Sequence, residues 1–128
     1  MENSNSLQNN KLKFCKIRDV YRSILEFEAK FQQQSGLNLN EGMLLCTLSE
    51  KERCTSGEIA EAMGLTCSNC SKVIANLEVK GLIKRTLGSD DKRKMYFSLT
   101  TEGKKTLNNL NLCNTDLPEN LLKILQFS

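Results

Sequence analysis

Between Thr55 and Gly81 the chain reads TSGEIAEAMGLTCSNCSKVIANLEVKG, which holds two helix starts and two helix stops. Thr55 followed three residues later by Glu58 is a capping-box pattern. The threonine oxygen accepts a free N–H of the first turn, and the glutamate reaches back to the cap N–H. Ile59, Ala60 and Met63 then fall on one face, and Gly64 can take the left-handed conformation that closes a helix. Thr66 caps a second helix, which runs to a stop at Gly81. Two short helices joined by GLT, the second polar on one side, form a helix-turn-helix pattern.

Beyond Gly81 the hydrophobic period changes. LIKRTL and KMYFSLT read as strands, and the polar, turn-forming GSDDKR separates them. A hairpin directly after the second helix is the winged-helix arrangement. The expected fold is therefore mainly α with a small β-hairpin wing.

The flanks are helical in pattern as well. Phe14, Ile17, Tyr21, Ile24, Phe27 and Phe31 recur at steps of three and four, giving an amphipathic helix from Lys11 to about Gln34. Such a helix can pack on its own domain or on a second subunit. Residues 1–10, rich in Asn and Ser, are expected to be disordered. Asn40 is a candidate N-cap for a helix carrying Met43, Leu44 and Leu48. Thr100 or Thr101 starts a further helix through TEGKKTLNNLNLCN, and the apolar LPENLLKILQF follows.

Length and composition narrow the function classes. A chain of 128 residues suits one domain with a real core. No apolar run approaches the ~20 residues that cross a bilayer. The start, MENSNSLQNN, lacks the basic and apolar regions of a signal peptide, so a cytoplasmic location with no membrane partner is expected. Histidine is absent, which removes the commonest metal ligand and the commonest general base at neutral pH. Neither an enzyme nor a cofactor is expected. The net charge is only +3, but residues 67–105 carry nine Lys/Arg against four acids in an otherwise slightly acidic chain. A basic segment of this kind suits a polyanion.

Cys67 and Cys70 admit three readings. A structural zinc needs about four ligands, and neither a second CxxC nor a histidine exists to complete the set. A redox role is supported by Cys67 in the first turn of a helix, where free N–H groups favour a thiolate, with Cys70 three residues on. Plain packing is the third reading, with Cys70 pointing into the core as a small hydrophobe. A thiol–disulfide oxidoreductase using the pair is the enzymatic rival. Its motif usually follows a strand in a βαβ unit, whereas here a helix precedes it.

The run from Gly57 to Leu107 resembles the MarR family of bacterial winged-helix transcription regulators. It contains a capped recognition helix, the pattern LExxGLIxR over residues 77–85, DxR over 91–93 and LTxxG over 99–103. The resemblance implies a single domain over residues 11–128, with a winged helix-turn-helix lobe at 40–100. Segments 11–34 and 101–128 would be its dimerisation helices. It implies a homodimer that binds double-stranded DNA at a pseudo-palindromic operator, with a repressor expected. Release would follow binding of a small molecule in a cleft between dimer helices and lobe, or cysteine oxidation. Cys15 lies roughly where the hydroperoxide-sensing branch of the family resembles FC with a reactive thiol, and Tyr21 is the nearby tyrosine. A winged helix that binds only protein is a further alternative.

At about 100° per residue, a helix burying Cys70, Ile74 and Leu77 turns Ser68 and Lys72 outward. Asn69 and Ser71 flank that face, and Asn76 lies beside Asn69. Ser68 can bond several bases, Asn69 suits adenine, and Lys72 suits guanine or a phosphate. In the wing, Arg93 is the expected minor-groove residue, oriented by a salt bridge to Asp91. Lys92 and Lys94 are expected to meet phosphates.

Overall fold

The computed structural model describes residues 4–110 and 117–125. Six helices and one hairpin follow in the order α1 (Ser4–Ser35), α2 (Leu39–Lys51), α3 (Ser56–Met63), α4 (Cys67–Val79), β1 (Ile83–Leu87), β2 (Met95–Leu99), α5 (Thr101–Asn109) and α6 (Glu119–Leu125). They divide into two compact units. One holds Leu37–Asn111, and the other combines Met1–Gly36 with Leu112–Ser128. Among the described residues, no helix is long and apolar enough to cross a membrane.

The first unit packs α6 against α1. Leu121 is buried, and the Phe27 and Phe31 rings stack with centroids 5.9 Å apart. Toward its N-terminus the α1 stripe is uncovered in the single chain, with Phe14, Ile17 and Tyr21 all more than 60% exposed. The expectation of disorder over residues 1–10 is corrected for residues 4–10, which are helical. Leu7 stands seven residues before Phe14 and continues the apolar stripe, and Leu, Gln and Lys are good helix formers. Residues 1–3 lie outside the described residues.

The second unit is the winged-helix lobe. Leu44, Leu45 and Leu48 of α2, Ile59 of α3 and Leu77 of α4 form its fully buried centre, with Cys54 and Cys70. The cap of α2 is Asn38 rather than Asn40. Asn38 Oδ1 accepts the Glu41 N–H at 2.8 Å, and Glu41 Oε1 accepts the Asn38 N–H at 2.9 Å, a reciprocal pair that a cap at Asn40 would lack. Glu41 is 3% exposed, and its other oxygen accepts Lys80 Nζ at 2.7 Å. That bond provides the partner a buried carboxylate requires.

β1 and β2 pair antiparallel, with Ile83 opposite Leu99 and Arg85 opposite Phe97. Cys54 adds a short bridge on the far edge of β2, exchanging both backbone hydrogen bonds with Phe97. The expected division of the chain also shifts. α5 packs on α2 and β2, so the lobe reaches from residue 37 to about 111 and takes in part of the segment expected for dimerisation. The cause lies in LTxxG. Thr100 Oγ1 accepts the Gly103 N–H at 3.0 Å, and Gly103 stands where any Cβ would strike the Leu82 carbonyl oxygen. Residues 111–116, the remainder of the expected helix through Asn114, lie outside the described residues.

Candidate nucleic-acid interface

The helix-turn-helix is set by its caps. Thr55 Oγ1 accepts the Glu58 N–H at 3.2 Å, and Glu58 Oε1 accepts the Thr55 N–H at 2.9 Å. Those hydrogen bonds hold the Glu58 carboxyl below the usual carboxylate range. Gly64 closes α3 at φ 67°, a region costly for any residue with a Cβ. Two residues later Thr66 Oγ1 accepts the Asn69 N–H at 3.1 Å and starts α4. Cap, stop and cap within twelve residues leave the joint little freedom.

α4 then sorts its side chains by face. Cys70, Val73, Ile74 and Leu77 are buried. Ser68, Asn69, Ser71, Lys72 and Asn76 are exposed, as are Ala75 and Val79. Within the described residues the side chains of Ser68, Asn69, Ser71 and Lys72 make no hydrogen bond or ion pair. The outward face of the helix therefore offers donors and acceptors that the fold itself does not use.

The wing turn is closed by its own backbone, Gly88 N–H to Lys94 carbonyl at 2.9 Å and Lys94 N–H to Asp91 carbonyl at 3.1 Å. Asp91 Oδ1 accepts the Arg93 N–H at 3.0 Å and Nε at 3.2 Å. The backbone bond from Arg93, then its side-chain bond, lower the Asp91 carboxyl pKa. The Arg93 side chain is still 91% exposed, so the pairing orients it without burying it. Lys92 and Lys94 are exposed beside it.

The basic segment is less uniform than its sequence suggests. Lys80, Arg85, Arg93 and Lys105 are tied to Glu41, Glu78, Asp91 and Glu102. Lys72, Lys84, Lys92, Lys94 and Lys104 carry no ion pair among the described residues. Sequence reasoning missed the Glu78–Arg85 pair and the Arg53 guanidinium lying 4.2 Å from the Tyr96 ring centroid. For Glu78 and Arg85 a signal existed, since both stand in LExxGLIxR. For Arg53 none did.

The two central cysteines occupy different environments. Cys70 is buried, its Sγ 3.8 Å from the Ser56 carbonyl oxygen, and desolvation pushes its thiol pKa up. Cys67 is exposed, as is Cys15 on α1. Among the described residues, no group of three or more Cys, Asp or Glu side chains is placed to hold a metal ion.

Known proteins share this arrangement. The MarR family model matches residues 37–95. The HTH-type transcriptional regulator PapX of Escherichia coli is 35% identical over 103 residues, 78% of this chain, and the chain spans 63% of that relative's length. The structure of the transcriptional regulator BldR from Sulfolobus solfataricus superposes with a TM-score of 0.72 at 25% identity, covering 98% of this chain and 85% of that one. The S. aureus MepR–DNA complex matches with a TM-score of 0.58 at 26% identity, covering 72% of this chain and 76% of that one.

Proposed function

We propose, from the premise that this chain belongs to the MarR family, that it is a DNA-binding transcriptional regulator acting in the cytoplasm as a repressor. It binds a pseudo-palindromic operator as a homodimer. α4 enters the major groove with Ser68, Asn69, Ser71, Lys72 and Asn76 toward the bases and phosphates. Arg93 reaches the adjacent minor groove, and Lys92 and Lys94 neutralise phosphates. The observation that carries this reading is the exposed, internally unused polar face of α4, standing on the same lobe as an Arg93 held ready by Asp91.

The dimer reading rests on the uncovered stripe of α1, where Phe14, Ile17 and Tyr21 need a partner surface, together with exposed Ile124 and Leu125 of α6. Sedimentation equilibrium tests it, and a monomer at micromolar concentration would refute it. Release of DNA follows a small-molecule effector or oxidation at Cys67, the exposed thiol of the recognition helix. The oxidoreductase alternative is disfavoured by Cys70, whose burial withholds it from exchange with a substrate thiol.

Selection of bound sites from random DNA, followed by anisotropy titration at fixed salt, tests the whole reading. Half-sites should repeat about one helical turn apart. Arg93→Ala should weaken operator binding by about 1–3 kcal/mol, roughly 5- to 150-fold, and leave the dimer folded. Lys92→Gln should reduce the salt dependence by about one counterion and leave sequence preference unchanged. An unchanged operator affinity in Arg93→Ala would remove the wing from the interface. Enrichment of no site at all, with insulin reduction observed instead, would favour the oxidoreductase.

A further inference from the structure

We propose that Arg53 and Tyr96 are positioning residues for the wing. The Arg53 guanidinium, stacked over the tyrosine ring, holds the turn that bears Arg93 in a fixed direction relative to the helix-turn-helix. Resting on the operator reading, this role extends it to two residues that touch no DNA. The Arg53 ζ carbon lies 4.2 Å from the centroid of the Tyr96 ring. A cation over an aromatic face is attracted by the ring quadrupole, and the flat arginine fork can also stack on it. Among the described residues Arg53 makes no ion pair, so the half-buried ring is the partner of its charge.

Local backbone geometry brings the pair together. Glu52, at φ 61° and ψ −54°, turns the chain out of α2, and the Arg53 N–H donates to the Lys51 carbonyl at 2.6 Å around it. This is the rare, strained form of the γ-turn, and such strain persists where the surrounding structure imposes it. Here the next residue imposes it. The Cys54 N–H donates to the Phe97 carbonyl at 3.0 Å, and the Phe97 N–H to the Cys54 carbonyl at 2.8 Å. With Cys54 opposite Phe97, side-chain alternation puts Arg53 on the face of β2 that carries Tyr96 and Ser98. Tyr96 is then its diagonal neighbour, within reach of a long side chain. Thr55, two residues on, caps α3, so Arg53 is tied to the start of the helix-turn-helix.

The ring in turn bears on the wing. Gly88 is buried at the base of the turn, and a Cβ there would stand 3.0 Å from Tyr96 Cε2 and 2.7 Å from the Asp91 carbonyl oxygen. Glycine thus lets the turn close down on the ring edge. The same Asp91 carbonyl accepts the Lys94 N–H, and the Asp91 carboxylate holds Arg93. Contacts therefore run unbroken from Arg53 through Tyr96, Gly88 and Asp91 to Arg93. The outer wing needs such support. A two-stranded hairpin alone is marginally stable, and while Ile83 and Leu99 are buried at its root, Leu87 at the far end is 61% exposed. The Glu78–Arg85 pair holds the middle of the hairpin from the face opposite Tyr96.

The test joins amide hydrogen exchange of the full chain, without DNA, to anisotropy titration against a labelled duplex carrying the site selected from random DNA. In Arg53→Gln the Gly88 and Lys94 amides, which close the wing turn, should exchange roughly three- to fivefold faster. The Ile74 and Leu77 amides of α4 should keep their rates. Operator binding should weaken by the same factor, roughly three- to fivefold. Tyr96→Leu should match or exceed both effects, and Tyr96→Phe, which keeps the ring, should stay near the parent in both. In an Arg93→Ala background, Arg53→Gln should change affinity by less than about 1.5-fold, because the group it positions is gone. Arg53 is exposed, so its replacement opens no core, and the arginine arm decides even where Tyr96→Leu folds poorly. The role is overturned by unchanged exchange in the wing, or by equal acceleration at Ile74 and Leu77, which would make the pair a general stabiliser. It is overturned as well by equal affinity losses with and without Arg93, which would make Arg53 itself a phosphate contact. A chain that selects no DNA site overturns the operator reading and this role together, whereas a chain that binds its site with additive losses overturns this role alone.

Discussion

Glu78, near the end of α4, and Arg85, in the middle of β1, meet in a two-point ion pair. Arg85 Nε donates to Oε2 at 2.8 Å and Nη2 to Oε1 at 2.5 Å. The same guanidinium lies 5.6 Å from the Phe97 ring centroid. The fork geometry suits a carboxylate and cannot be reproduced by lysine. α4 and the hairpin are thereby joined by a contact of defined direction. Arg85 is more than half exposed, so the pair contributes orientation more than stability.

The pair carries a pH signature. The side-chain bond from Arg85 lowers the Glu78 carboxyl pKa in the folded chain. A carboxyl depressed on folding adds stability that is complete above its unfolded value, about 4.3, and is lost as pH falls through the lower folded value. Glu78→Gln should therefore have a lower thermal midpoint than the parent chain at pH 7, and the gap should narrow progressively as pH falls below the unfolded carboxyl value. A gap that does not narrow with acidification would mean that the pair does not titrate as described. Asp91 and Glu58 shift in the same direction and add to the general acid sensitivity.

Two glycines should respond oppositely to alanine. At Gly103 a methyl group would collide with the Leu82 carbonyl oxygen, which also accepts the Thr100 N–H at 3.1 Å. Overpacking of this kind costs about 1–3 kcal/mol, measurable by urea unfolding. At Gly57, in the first turn of α3, a Cβ would meet only Thr55 Oγ1, at 4.0 Å. Gly57→Ala should be neutral or stabilising by up to about 1 kcal/mol. Equal effects at the two sites would contradict the packing of α5.

Thr66→Ala should cost about 1 kcal/mol by removing the acceptor of the Asn69 N–H, and Thr66→Ser should restore most of it. Because this cap starts the helix that bears Ser68 and Asn69, operator affinity should fall in Thr66→Ala and recover in Thr66→Ser. Urea unfolding and anisotropy read the two effects separately.

Thiol labelling should separate the cysteines by burial. Cys15, Cys46 and Cys67 are exposed and should react with an aromatic disulfide reagent within minutes, whereas Cys54 and Cys70 are buried. Desolvation raises the thiol pKa of both buried residues, with Glu58 adding to the effect at Cys54, so little thiolate is available there. Among these five described cysteines, peptide mapping after a brief pulse should find the label at the first three positions. Rapid labelling of Cys70 would show a lobe that opens readily.

The caps and the change of period were legible because each depends on residues three or four apart. Thr55 with Glu58, Thr66 with Asn69, and Gly64 all hold the positions their local chemistry requires. The sorting of α4 into a buried and an exposed face was legible for the same reason. The LExxGLIxR and LTxxG patterns were visible as patterns, but their physical meaning was not. Glu78 meets Arg85 across a strand junction, and Gly103 meets Leu82 across the sheet edge. Asn40 reads equally well as a cap, since asparagine suits that position and the apolar Met43 and Leu44 follow within a turn. The reciprocal bond to Glu41 decided for Asn38.

By itself, then, the sequence determined the succession of helices, the hairpin, the polar outward face of α4 and the acid–arginine pair of the wing, since hydrogen bonds between near neighbours and the 3.6-residue turn act locally. Tertiary structure decided which cations are neutralised, that α5 belongs to the lobe, and that the α1 stripe is left uncovered in the single chain. Those facts depend on distances between residues far apart in the chain. Glu41 and Lys80 are 39 positions apart yet bond at 2.7 Å, a separation that only the packed core determines.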